Sequence, residues 1–138
     1  MAKKESKTID LRTTPAFERM KSFLRSYRRC KTVCDEYVVE RVMLLDREER
    51  TVRDEFYAEC RGRCREVELF IKRITCTRDE KHLLWLHYVE GMSIEAVSER
   101  LYVSRSTAFR ISRRAEEAAL FAFLRYEREQ RPPERIVS

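Results

Sequence analysis

Ser93-Ile-Glu-Ala-Val-Ser-Glu-Arg-Leu-Tyr-Val-Ser-Arg-Ser-Thr-Ala-Phe-Arg-Ile-Ser112 is the stretch on which the fold turns. Ser93 and Ser104 each stand directly before a run whose apolar residues recur at three and four positions, which marks both as N-caps. The spacing predicts a short helix over Ile94 to Leu101, with Glu95 and Glu99 facing solvent. A second helix then runs from Arg105 to near Tyr126. Two helices that cross steeply need apolar residues at fixed places and a small residue where they touch. Val97, Leu101, Val103, Ala108 and Ile111 supply the inward set, and Ser98 the small contact. The pattern is that of a helix-turn-helix. The turn position usually held by glycine is Tyr102, where a left-handed backbone costs about 1 kcal/mol, so a reshaped turn is the alternative.

The outward residues of the same stretch are basic. Arg100, Arg105, Arg110, Arg113 and Arg114 fall in a window that holds no acidic residue, in a chain where acids are otherwise common. Residues near the start of a recognition helix reach base edges in the major groove, which makes Arg105, Ser106, Thr107 and Arg110 the expected readers of double-stranded DNA. Arg113 and Arg114, further along, suit phosphates. Phe109 has two readings, against a thymine methyl or within the core.

Upstream, Thr77 is placed to cap a helix carrying Asp79 and Glu80 in its first turn and Leu83, Leu84, Leu86, Tyr88 and Val89 as its apolar set, with Gly91 ending it. Residues 77–126 thus form a trihelical DNA-binding unit. Ahead of it, Thr14 caps and Pro15 opens a long helix with an apolar stripe of Phe17, Met20, Leu24, Tyr27, Cys34, Val38, Val42 and Leu45. Asp46 or Thr51 caps a second long helix, whose stripe is Val52, Phe56, Cys60, Cys64, Val67, Ile71 and Ile74. Two antiparallel helices, each about 45 Å long, would bury both stripes as a hairpin and assembly element over residues 15–76. One unbroken helix paired in a dimer remains open, because neither Gly nor Pro marks a turn. Residues 1–14 read as a loose basic arm and residues 127–138, with Pro132 and Pro133, as a frayed tail.

Composition agrees with an all-α class: 138 residues, 39% charged, with two glycines and three prolines, leave little from which to build strands and hairpins. The net charge of +6 suits a polyanionic partner. No apolar run approaches the ~20 residues of a membrane span, and no signal peptide is recognised, so a cytoplasmic location in a bacterial host cell is expected. No phosphate loop, nucleophile elbow or paired-carboxylate site occurs, so no enzymatic activity, catalytic residue or cofactor is expected. His82 and His87 are read as supporting or surface residues and Trp85 as core. The basic run from Arg25 to Lys31, with Arg28 and Arg29, is read as a solvated face able to meet phosphates.

Five cysteines in a reducing compartment argue against a full disulfide framework. Cys30 and Cys34 lie four apart on one helix, as do Cys60 and Cys64 on the next, and a hairpin centred on Arg47 brings the pairs together. Small apolar core filler is the first reading. Structural zinc on Cys30, Cys34, Cys60 and Cys64, or two disulfides under oxidation, are the alternatives. Cys76 is taken as structural.

From about Lys81 to Leu120, with Leu84-Trp-Leu-His-Tyr-Val-Glu-Gly-Met-Ser93 leading into Leu101-Tyr-Val-Ser-Arg-Ser-Thr-Ala-Phe-Arg110, the chain resembles sigma-70 region 4 helix-turn-helices. It looks most like the variant found in phage late-gene transcriptional activators of the ArpU and RinA type, which also tend to carry a long helical segment ahead of the DNA-binding unit. The resemblance implies a regulator that binds a promoter-proximal site, with RNA polymerase as a further partner. A homodimer is expected, since one short module offers few base contacts. The competing class is a helical adaptor that binds RNA polymerase or a sigma factor without specific DNA contact.

Overall fold

The computed structural model describes residues 10–43 and 46–130, and side chains throughout except those of residues 38–43. The fold is all-α, and no β-strand occurs among the described residues. Its helices are α1 (Pro15–Met43), α2 (Arg47–Arg73), α3 (Arg78–Leu84), α4 (Ile94–Arg100) and α5 (Arg105–Gln130). A short 3-10 turn, Leu11–Thr13, precedes α1, and a π-helical turn, Trp85–Val89, continues α3.

Local chemistry sets each helix start. Thr14 Oγ1 accepts from the Phe17 amide at 3.2 Å, and Asp46 Oδ1 from the Glu48 amide at 2.8 Å. Asp46, rather than Thr51, therefore opens α2; Thr51 sits inside the helix and donates to the Arg47 carbonyl. α1 and α2 are separate helices packed on one another, so they form the hairpin rather than one unbroken helix. Tyr37 and Tyr57 stack across it with ring centroids 4.0 Å apart. The capping serine at 93 and a full capping box between Thr77 and Glu80 open α4 and α3.

The helix stripes meet in one core. Phe17, Met20, Leu24 and Tyr27 of α1 and Cys64, Val67 and Ile71 of α2 are buried, as are Leu83, Leu84, Leu86, Tyr88 and Val89. The cluster continues without a break into Val97, Ala115, Ala119, Leu120 and Phe123. Thus the base of the hairpin and the helix-turn-helix share one hydrophobic interior. Phe23, left out of the expected α1 stripe although it stands three residues after Met20 and four before Tyr27, is central to the joint. Its ring meets Phe70 of α2 at 5.3 Å and Phe123 and Tyr126 of α5 at 5.5 and 5.1 Å. These offset and edge-on contacts fix three helices at one layer.

Several expectations are corrected. Val52 and Phe56 are exposed, at 61% and 46%, because near the hairpin tip only α1 opposes α2 and no third helix covers the stripe. Val38, Val42 and Leu45 lie outside the described side chains. The last helix runs on to Gln130, past the expected fray at 127. Arg19 of α1 grips Glu127 through two hydrogen bonds of 2.8 and 2.9 Å. In the expected arm, Asp10 caps the Leu11–Thr13 turn and Leu11 packs on the core. Residues 1–9 and 131–138 lie outside the described residues. Trp85 is half-buried at the core edge, with Lys72 Nζ 5.5 Å from its ring centre.

The apolar set from Leu83 to Val89 does not fit one face of an α-helix, yet all five members are buried. The π turn reconciles the two: the Glu90 amide bonds back five residues to the Trp85 carbonyl, 3.1 Å away. Gly91 follows at φ +76, and Arg28 of α1 donates to the Val89 carbonyl at 2.9 Å. Arg28 is therefore a cap on this helix end rather than a member of a free basic face.

Candidate nucleic-acid interface

The turn between α4 and α5 has the hydrogen bonds of a Schellman ending. The Val103 amide reaches the Ser98 carbonyl at 3.0 Å, and the Tyr102 amide the Glu99 carbonyl at 3.2 Å. That motif needs a left-handed residue, and Tyr102 takes it at φ +59. The turn is not reshaped; the backbone strain is carried. Because the Tyr102 side chain is 95% exposed, it gains no packing in return.

Ser98, 3% exposed, lies where α4 and α5 approach, and its hydroxyl donates to the Glu95 carbonyl at 2.6 Å. Val97 and Ala108 are fully buried, whereas Leu101, Val103 and Ile111 are half-buried. The inner side of α5 is thus filled by Ala108, Ser112, Ala115 and Ala119, small residues that let the helix lie close to its neighbours.

The opposite side carries the expected readers. Arg105, Ser106, Phe109, Arg110, Arg113 and Arg114 are all exposed, and Thr107 is half-buried. Phe109, 48% exposed, stands on the surface rather than in the core. Ser104 Oγ accepts from the Thr107 amide at 3.2 Å and donates to Thr107 Oγ1 at 2.9 Å. Arg110 Nη2 donates to the same Thr107 oxygen at 3.0 Å. A cap, a threonine and an arginine are so linked in one chain of bonds over the first turns of α5. Their side chains are held before any ligand arrives, which lowers the ordering cost of binding.

Arg105 has a partner that sequence reading placed in solvent. Its Nη2 lies 3.1 Å from Glu95 Oε2, across the turn. The local sequence from Arg100 to Arg114 is free of acid, yet the fold brings one to its edge. The ten-residue separation of the two is not a helical spacing, and only the crossing of α4 over α5 makes them neighbours.

Behind this surface, Tyr88 donates its hydroxyl to the buried Glu116 of α5 at 3.1 Å. Burial, then the Glu116 charge, raises the Tyr88 pKa. His87 Nδ1 is 2.7 Å from the Met92 carbonyl, which gives it a supporting role in the loop before α4, and His82 is exposed.

The hairpin does bring the paired cysteines together. Cys60 interacts with Cys30 and Cys34, and Cys64 with Cys34 and Cys30. All five cysteines are free thiols. Burial first, then the neighbouring thiols, pushes Cys60 up to about 11 and Cys64 up to about 12. Cys64 Sγ also faces the Tyr27 carbonyl at 3.8 Å. Among the described residues, no group of three or more His, Cys, Asp or Glu side chains is arranged to hold a metal ion. The arrangement favours protonated thiols packed as core residues. No helix among the described residues is long and apolar enough to cross a membrane.

A family model described as "Protein of unknown function (DUF1492)" matches residues 29–119, from the middle of α1 to the middle of α5. The match takes in the exposed arginines of α5 from Arg105 to Arg114. No curated protein and no solved structure matches the chain.

Proposed function

The chain belongs to the DUF1492 family, and we propose that it is a sequence-specific double-stranded DNA-binding transcriptional regulator that reads the major groove with α5. The observation that carries this reading is the outer side of α5. Five exposed residues with donor or cationic groups, Arg105, Ser106, Arg110, Arg113 and Arg114, lie along the first turns of α5 after its Ser104 cap. Helix N-terminal residues with this chemistry suit base edges, and the later arginines suit phosphates. The likeness to phage late-gene activators of the ArpU and RinA type supports a role near a promoter, with RNA polymerase as a further partner.

A homodimer completes the reading, because two-fold pairing doubles the base contacts of a small module. The exposed Phe121 and Leu124 of α5, and Val52 and Phe56 of α2, are apolar surfaces available for it. One experiment tests both parts. Sequences bound from random DNA are selected, and the purified chain is titrated on the selected duplex while its mass is followed by light scattering. Binding is expected to weaken steeply with salt, and Arg105→Ala or Arg110→Ala to lose about 1–3 kcal/mol of discrimination. Unchanged affinity in both variants overturns the assignment of the recognition helix, and a monomer both free and on DNA removes the dimer. An adaptor that binds only protein would show no sequence-selective shift at physiological salt.

A further inference from the structure

We infer that Glu95 is a specificity-determining residue of the reading surface, one that holds Arg105 for a base edge and away from phosphates. The inference rests on the DNA-binding reading of α5. Arg105 is the first residue of that helix and stands in the positive field of its N-terminus, where a cation gains nothing from the helix dipole. Its side chain is 70% exposed and that of Glu95 49%, and 3.1 Å separates them. A pair so exposed adds little to folding. Its effect lies in what it does to a long, otherwise free arginine.

Two physical consequences follow. The carboxylate cancels most of the charge that Arg105 would offer to a phosphate, so transfer from Glu95 to the DNA backbone exchanges one anion for another. Guanine is different: O6 and N7 together accept a forked pair of N–H donors, and a guanidinium has five. The single bond to Glu95 uses Nη2 alone, which leaves donors for a guanine while the carboxylate stays in place as a buttress. Glu95 thereby favours a neutral acceptor pair, which the remaining donors can bind without bringing a second anion beside the carboxylate. The same carboxylate repels a phosphate that approaches Arg105 directly. Arg110 is held from within α5 by Thr107, so the two readers are fixed by different elements, one by its own helix and one by α4.

The test compares Glu95→Gln with Glu99→Gln, an exposed acid on the same helix, in the full-length chain. Both lose one negative charge. Each protein, with the parent, is titrated on its selected duplex and on a scrambled duplex over a range of salt, and its preferred sequence is selected from random DNA. For Glu95→Gln, preference at one base pair is expected to fall about tenfold, and binding to the scrambled duplex to tighten with a salt slope steeper by about one phosphate. Arg105→Ala is expected to lose the same base pair, and the double variant to lose no more than Arg105→Ala alone. Glu99→Gln is expected to keep the parent's preference. If Glu95→Gln selects the parent sequence with unchanged discrimination, the inference is wrong while the DNA-binding reading stands. If the parent itself selects no sequence, that reading fails and takes the inference with it. Thermal unfolding of each variant shows that the fold is intact, as expected for a change at an exposed pair.

Discussion

Two of the described residues, Gly91 and Tyr102, have a left-handed backbone, and they differ in every respect except that angle. Gly91, at φ +76, ends the turn after α3, and a methyl added there would lie 3.1 Å from Arg28 Nε. Tyr102, at φ +59, ends α4 with its ring in solvent. Gly91→Ala is therefore expected to cost about 1–2 kcal/mol in chemical denaturation, through strain and displacement of Arg28 from the Val89 carbonyl. Tyr102→Gly is expected to gain up to about 1 kcal/mol, since it relieves the strain and removes no packing. A loss of stability in the second variant would mean that the tyrosine ring has a folding role that its exposure does not suggest. The strain at Tyr102 was legible in the sequence, because the Schellman position is set by counting from Ser93. Arg28 was not, because its target carbonyl is sixty-one residues away.

At the scale of elements, the hairpin is a seam of two helices with thiols at its middle. The sequence spacing of Cys30, Cys34, Cys60 and Cys64 brings them together once the chain returns as an antiparallel hairpin, and that return, rather than one unbroken helix, was decided by the packing of α1 on α2. Whether they form a ligand set depended on side-chain arrangement, which spacing does not encode. Because burial raises the Cys60 and Cys64 thiols to about 11 and about 12 from their ordinary 9.0, the native state holds protons that the unfolded chain releases first. Their contribution to stability is complete below pH 9 and is lost as pH rises from 9 towards 12. Under reducing conditions the urea midpoint is expected to fall as pH rises above 9, and to fall less steeply in Cys64→Ala. Equal slopes in the two proteins would assign the loss to other groups. The π turn after α3 is the element that pattern reading missed, because five buried positions in seven residues fit no single helical face.

Across the whole molecule, the hairpin base and the helix-turn-helix are joined by the layer of Phe23, Phe70, Phe123 and Tyr126 and by the continuous core beneath it. A change deep in the hairpin should therefore reach α4 and α5. Leu24→Ala, at a position with no exposure, is expected to cost about 2–5 kcal/mol. Far-ultraviolet circular dichroism, which follows all helices, and Trp85 fluorescence, which follows the α3 side, are expected to shift together in one transition. Two separated transitions, with only the hairpin displaced, would show that the shared core does not couple the two parts. The sequence divided the chain near residue 76 because Cys76 and Thr77 mark a change of texture. A boundary in composition is not a boundary in packing, and here the apolar faces on both sides of it point inward to the same place.

What the sequence determined by itself was where the helices begin and which side of α5 is basic, with Asp46 and Thr51 left as alternatives at the start of α2. Thr14, Asp46, Thr77, Ser93 and Ser104 each begin a helix, for a capping oxygen needs only an amide two or three residues on. The basic, acid-free outer side of α5 was legible for the same reason. Only the tertiary structure decided that Arg105 meets Glu95, that Arg28 caps α3, that Arg19 extends α5 by holding Glu127, and that Phe23 joins three helices. Those contacts span ten to over a hundred residues, and their distances follow from how helices cross, which is fixed by the summed burial of many side chains rather than by any local run.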